Sequence, residues 1–220
     1  MIIGLLAIDN DRSGGHKISF AAAKNAFSSK ESEVKPIAKI LVVLFYILFA
    51  FVEVRSQESI PFVPSPMHVV NKMLEVAEIK KGDILYDMGS GDGRVVIEAA
   101  KKYGIRGVGV DLNPELVAKA RESAKKEGVN HLVEFRAQDG LTVDISEATV
   151  VTLYMFKWFN NALRPKLQKL KPGSRVIAHD FDIDDWKPDR IEYVKPPEDG
   201  SDYAESRTLY IWKIGENAGI

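Results

Sequence analysis

Cysteine is absent from the 220-residue chain, which removes disulfides, thiolate metal ligands and every covalent mechanism that needs a cysteine nucleophile. Histidine is scarce. The four imidazoles, at 16, 68, 131 and 179, lack the short spacings that bring two ligands onto one ion, so no metal centre is expected. An excess of either charge is also missing: 30 Lys and Arg meet 31 Asp and Glu. Nothing in that balance attracts nucleic acid, which is not expected as a partner. Hydrophobic runs are short, with one exception at residues 40–52. These 13 apolar residues would extend about 20 Å as a helix, against a hydrocarbon core of about 30 Å. Residues 37–39 and Val54, with Lys39 snorkelling, bring the segment close to the lower limit for a span.

Three readings of this segment stay open: a membrane anchor, the hydrophobic part of a signal peptide, and an apolar helix docked on the protein. No good small-x-small cleavage pattern follows it. Lys24, Lys30, Lys35 and Lys39 precede it, against Arg55 and Lys72 after it. That bias would place the remainder outside a membrane. The chemistry argued below favours the cytoplasm instead, with the chain tethered to the cytoplasmic face of a membrane through residues 37–54. Residues 1–36 are mixed and rich in Ser, Lys, Ala and Gly, and are expected to be poorly ordered apart from a short helix around 20–27. The apolar segment with its flanks occupies 37–57. Residues 58–220 have the makeup of one medium-sized domain.

Within that domain the pattern alternates. "PFVPSP", residues 61–66, reads as an extended arm because residues before proline avoid the α region. Ser65 is expected to cap a helix with Pro66 at its first position. Strands are expected over 83–87, 106–111, 132–137, 148–156 and 174–180, and helices over 94–104, 113–128 and 161–170. The end changes character, with strands at 190–195 and 206–214 joined by a Pro/Gly-rich loop and no helix between them. These elements predict an α/β fold: a Rossmann-like, doubly wound, mostly parallel seven-stranded sheet with an antiparallel edge strand.

The stretch "YDMGSGDGR", residues 86–94, lies where the first strand becomes the first helix. In a doubly wound sheet that crevice receives small cofactors, and glycines there allow a tight turn and a close approach to the main chain. Dinucleotide enzymes use G-x-G-x-x-G, but Arg94 stands where the third glycine would be. Asp87 precedes the first glycine by two residues, where a pyrophosphate would be repelled. A ligand with an amino group and a sulfonium would be attracted, which points to S-adenosylmethionine. Asp111 closes the second strand, 24 residues after Asp87, about where an acid meets a ribose diol in nucleotide-binding sheets. Asp139 follows the third strand and is placed to accept from an adenine amino group. Singly, Asp111 and Asp139 also read as caps of the following helix or turn.

This arrangement resembles the class I S-adenosylmethionine-dependent methyltransferases over residues 61–214. "PFVPSP", "DMGSGDGRVVIEAA", "VGVDLNPELV", "DISEATVVTLYM", "LKPGSRVIAHDF" and "TLYIWKI" together resemble the archaeal protein-lysine methyltransferases. They also resemble the related mitochondrial lysine methyltransferases that carry an apolar N-terminal segment. The resemblance implies that Asp87, Gly89, Gly91 and Gly93 hold the methionine part, Asp111 the ribose and Asp139 the adenine. Their neighbours Met88, Ser90, Leu112 and Gly140 are expected in the same cofactor site, with the proline arm lying over it.

"LYMF" stands after the fourth strand where amide and adenine methyltransferases carry [DN]-P-P-[YF]. Direct in-line transfer to an amine, an oxygen or a small molecule remains. A lysine acceptor must lose its proton from a group of ordinary pKa about 10.4, helped by the nearby sulfonium and by desolvation. Tyr154 and Asp180, ending the fourth and fifth strands, are the expected acceptor-orienting residues. Four aspartates in "HDFDIDDW", residues 179–186, would suit basic protein substrates or form only a solvated loop. His179 reads as a packed strand residue; Trp186 either lines the acceptor channel or covers the core. The leading expectation is methylation of lysine in protein substrates, with no obligate partner. The alternatives are a small-molecule or lipid-linked methyltransferase, and a domain that binds the cofactor without turnover.

Overall fold

The computed structural model describes residues 62–197 and 205–215. The chain divides into two compact units, residues 1–60 and 61–220, and the described residues all belong to the second. The expectations for residues 1–36, for the apolar segment and for the loop at 198–204 lie outside them.

Among the described residues eleven elements follow in order: α1 (Met67–Val76), β1 (Ile84–Met88), α2 (Arg94–Tyr103), β2 (Arg106–Asp111), α3 (Pro114–Lys126), β3 (Val133–Ala137), β4 (Val150–Leu153), α4 (Lys157–Leu167), β5 (Arg175–His179), β6 (Arg190–Val194) and β7 (Arg207–Lys213). The sheet order is β3-β2-β1-β4-β5-β7-β6. Strands β1 to β5 pair in parallel, and β7 runs antiparallel between β5 and β6. The expected antiparallel pairing is therefore at one edge of the sheet, with β6 outermost.

Each central strand feeds two cores, because successive side chains point to opposite faces. Leu85, Val150 and Ile177 join Val70, Leu74 and Val96 of α1 and α2 on one face. Tyr86, Met88, Val151, Leu153 and Val176 join Phe159, Leu163 and Leu167 of α4 on the other. Trp186 packs on Trp212, with ring centroids 5.4 Å apart, so it covers this second core.

The β4–α4 junction and the start of α1 depart most from the sequence pattern. β4 ends at Leu153, and residues 154–156 leave the sheet; α4 then starts at Lys157, four residues early, with Phe156 as its extended cap. Ser65 does not cap α1. Pro66 occupies that position and makes no side-chain cap, while the Ser65 hydroxyl is used elsewhere.

The N-terminal ends of β1, β4 and β5 are tied by one buried ion pair. Arg175 lies 2.5 Å from Asp83, which also accepts from the Thr149 hydroxyl at 2.7 Å and the Lys80 amide at 2.6 Å. Burial pushes the Asp83 carboxyl up, but Arg175 and these two donors together outweigh it and hold the carboxyl below its usual value. Its contribution is present above the ordinary carboxylate range and is lost as pH falls through the depressed value. Arg175→Ala should cost about 3 kcal/mol in denaturant unfolding at pH 7, because it leaves Asp83 buried without its cation. The cost should shrink on acidification below pH 4, where Asp83 is neutral in the unfolded chain.

Candidate active site

All three motif glycines adopt the left-handed region, with φ +80° at Gly89, +52° at Gly91 and +81° at Gly93. A side chain at the first two would be strained and would also collide, at Gly89 with the Met155 sulfur and at Gly91 with the Phe62 ring. The turn folds back on β2: the Gly89 and Ser90 amides both donate to the Val110 carbonyl, at 2.8 and 2.9 Å. Phe62 brings the described part of the proline arm against this turn.

Asp87 lies beneath the turn and is 5 % exposed. Register pairs it with Thr152 of β4, whose hydroxyl donates to Oδ1 at 2.7 Å. Burial pushes its carboxyl up to about 7; the Thr152 hydrogen bond opposes this, and the charges of Asp111 and Asp92 add to it. A carboxylate in this setting is stabilised by a cation. The Ser90 hydroxyl close by is buried with no hydrogen-bond partner among the described residues.

The other two strand-end acids are already engaged. Asp111 accepts from the Gly91 amide at 2.8 Å and from the Asn113 amide at 2.8 Å, so it fixes the glycine turn and the entry to α3 together. Asp139 is exposed and accepts from the Leu141 amide at 2.9 Å. Leu112 projects beside Asp111 as an exposed apolar side chain. Gly140 is backed closely by Met88 and Phe159. The capping reading of Asp111 and Asp139 is thus realised. A glycine-rich turn over a buried, cation-seeking carboxylate fits the cationic methionine end of S-adenosylmethionine.

An aromatic cluster gathers beyond the ends of β4 and β5. Tyr154 stacks on His179 with centroids 4.0 Å apart, Phe181 tilts towards Tyr154 at 6.3 Å, and Phe156 meets Phe181 edge-on at 5.8 Å. Trp158, 58 % exposed, stands at the start of α4. Asp180 takes φ +60° directly after β5 and is bound by β7, accepting from Arg207 at 2.9 Å and from the Thr208 amide at 3.0 Å. Asp182 and Asp184 share Lys157, at 2.9 and 2.6 Å. The acidic run is therefore largely paired within the protein.

Several partners escaped the sequence reading. Thr152 is a lone hydroxyl in an apolar strand, a signal that could have marked it. Arg94, dismissed as a mismatch to the dinucleotide pattern, grips Asp92 at 2.7 Å and donates to the Ser65 carbonyl at 2.9 Å. His179 is the packed strand residue expected, and burial pulls its imidazole down to about 4.

Comparison with known proteins agrees with this geometry. A family model described as the ANTKMT methyltransferase domain matches residues 87–190. A protein-lysine N-methyltransferase of Saccharolobus islandicus is 42 % identical over 72 % of this chain and 96 % of its own length. An ATP synthase lysine N-methyltransferase of Xenopus laevis is 37 % identical over 69 % of this chain and 67 % of its own. A solved structure described as an RNA methyltransferase from Salinibacter ruber in complex with S-adenosyl-L-homocysteine is 49 % identical. It covers 71 % of this chain and 97 % of that one, with a TM-score of 0.62. The chain belongs to the protein-lysine N-methyltransferase family of class I S-adenosylmethionine-dependent methyltransferases.

Proposed function

We propose that this methyltransferase acts on the side-chain amine of lysine in protein substrates, and that its crevice divides into a cofactor wall and an acceptor wall. The carrying observation is the pairing of a buried, cation-seeking Asp87 with an aromatic acceptor side. When bound, S-adenosylmethionine supplies a methyl group activated by a positive sulfonium. Asp87, Met88, Gly89, Ser90, Gly91 and Gly93 hold its methionine end. Asp111 and Leu112 take the ribose side, and Asp139 and Gly140 the adenine.

Tyr154 orients the incoming amine, and the rings of Phe156 and Phe181 beside it exclude water. Desolvation there favours the neutral amine that attack requires. Asp180 attracts the cationic form from a position already fixed by Arg207 and Thr208, so it acts through its charge and not through a free oxygen. Catalysis in such a site is mainly alignment of the two reacting atoms.

Membrane association through residues 37–54, and a place on the cytoplasmic side, belong to the same proposal. The apolar composition of that segment supports it; among the described residues no helix is long and apolar enough to cross a membrane.

The relative described as an RNA methyltransferase raises the competing acceptor. The carboxylates at 180, 182, 184 and 185 outnumber the Arg207 and Lys157 that pair with them on the acceptor side of this chain, and that surplus would repel a phosphate backbone. Incubation of a lysate with methyl-labelled S-adenosylmethionine and the enzyme, followed by separation of protein, RNA and lipid, decides the matter. Label should appear in protein and map to lysine by mass spectrometry; label confined to RNA or lipid would refute the reading.

Two substitutions test the assignments. A carboxyl held above its usual range destabilises the cofactor-free protein as pH rises from about 4 through about 7. Asp87→Asn should therefore raise the thermal midpoint at pH 8 and change it little at pH 4. The same variant should lose about two orders of magnitude in methyl transfer, as expected for truncating one partner of a buried charge pair. Asp180→Asn keeps a residue that tolerates the left-handed backbone, and removes the charge together with one of the two hydrogen bonds that Asp180 accepts. It should raise KM for a lysine peptide about tenfold, while cofactor affinity stays as in the parent enzyme.

A further inference from the structure

We propose that Ser65 is a positioning residue for methyl transfer, acting through His179 on Tyr154 and linking the acceptor wall to the glycine turn. This inference rests on the acceptor assignment given under Proposed function.

Ser65 lies between two prolines, Pro64 and Pro66. Their fixed φ and the extended bias imposed before proline hold it with little conformational freedom left to lose. It is 6 % exposed and uses its two polar groups in opposite directions. The hydroxyl lies 2.9 Å from His179 Nδ1, across 114 residues of sequence. The carbonyl accepts from Arg94 at 2.9 Å, and Arg94 in turn grips Asp92 inside the glycine turn. One residue of the arm therefore touches both walls of the crevice.

His179 closes β5, has no exposed surface and carries the Tyr154 ring stacked on its own at 4.0 Å and 27°. The Asp180 carboxylate sits 3.5 Å from Nε2. That negative charge favours the tautomer protonated at Nε2, which leaves Nδ1 to accept the Ser65 hydroxyl proton. The hydrogen bond sets the plane of the imidazole, and the stacked ring follows it. Stability alone does not call for this pair, because replacing both partners of a buried hydrogen bond by apolar groups of like shape is close to neutral. Orientation does call for it, since small misplacements at a reacting centre cost large factors in rate.

The test compares Ser65→Ala, Ser65→Cys, Ser65→Thr, His179→Phe and the Ser65→Ala/His179→Phe double variant with the parent enzyme. It measures cofactor Kd by calorimetry, thermal midpoint, and kcat and KM on a mapped lysine substrate. Ser65→Ala keeps the carbonyl bond to Arg94, so cofactor Kd should stay within about twofold while kcat falls about tenfold or more. Ser65→Cys, close in size but a weak donor, should show the same loss should the alanine variant not fold. Ser65→Thr, which keeps the hydroxyl, should restore most of the rate. His179→Phe should lose as much as Ser65→Ala, and the double variant no more than either, as expected for residues acting as one unit.

Parental kcat in Ser65→Ala, a loss matched by weaker cofactor binding, or no recovery with threonine would overturn the inference while leaving the lysine assignment intact. A parent enzyme that binds cofactor yet methylates no lysine would remove the acceptor assignment, and this inference with it.

Discussion

Burying a carboxylate beside other carboxylates is costly, and Asp87 near the end of the central strand is held in that condition. The contrast with Asp83, at the other end of the same strand, shows what is unusual. Asp83 is also enclosed but is met by Arg175, Thr149 and the Lys80 amide, and its carboxyl is held low. Asp87 has a hydroxyl for a neighbour and two more acids nearby, and its carboxyl is held high. The first acid is satisfied by the protein. The second has no cation of the protein's own among the groups that shift it, and in the proposed site a positive ligand takes that place beneath the glycine-rich turn.

The neighbouring strand ends are organised around Asp87 as well. β4 supplies Thr152 to Asp87 and ends at Leu153, so in the proposed site one strand serves the cofactor wall with one residue and the acceptor wall two residues later. β5 ends in His179 and Asp180, and β7, running the other way, fixes Asp180 through Arg207 and Thr208. The antiparallel strand inserted beside β5 thus holds the corner that carries Asp180 as well as extending the sheet. The proline arm bridges the two walls from outside.

Much of this was legible in the sequence because local rules and the global fold agree. Alternation of strand and helix patterns specified the sheet, and the glycine turn with its preceding acid stood out on chemistry alone. The misses share one cause. Ser65 satisfies the rule for a helix cap, yet a partner 114 residues away takes its hydroxyl; no local pattern carries that information. Trp186 could not be placed until Trp212 was seen beside it. The acidic run looked free because its counter-charges, Lys157 and Arg207, come from other elements. Residues 154–156 continued an apolar run and read as strand, but here they leave the sheet as the aromatic mouth.

The most direct measurement of the central claim is the proton balance of cofactor binding. Titration calorimetry with S-adenosylmethionine at pH 6, repeated in buffers of different ionisation enthalpy, counts protons exchanged as the complex forms. A carboxyl held near 7 in the free protein and ionised against a cation must release a proton, so a net release close to one per site is the predicted result. Binding with no proton release, or no binding, would contradict the account.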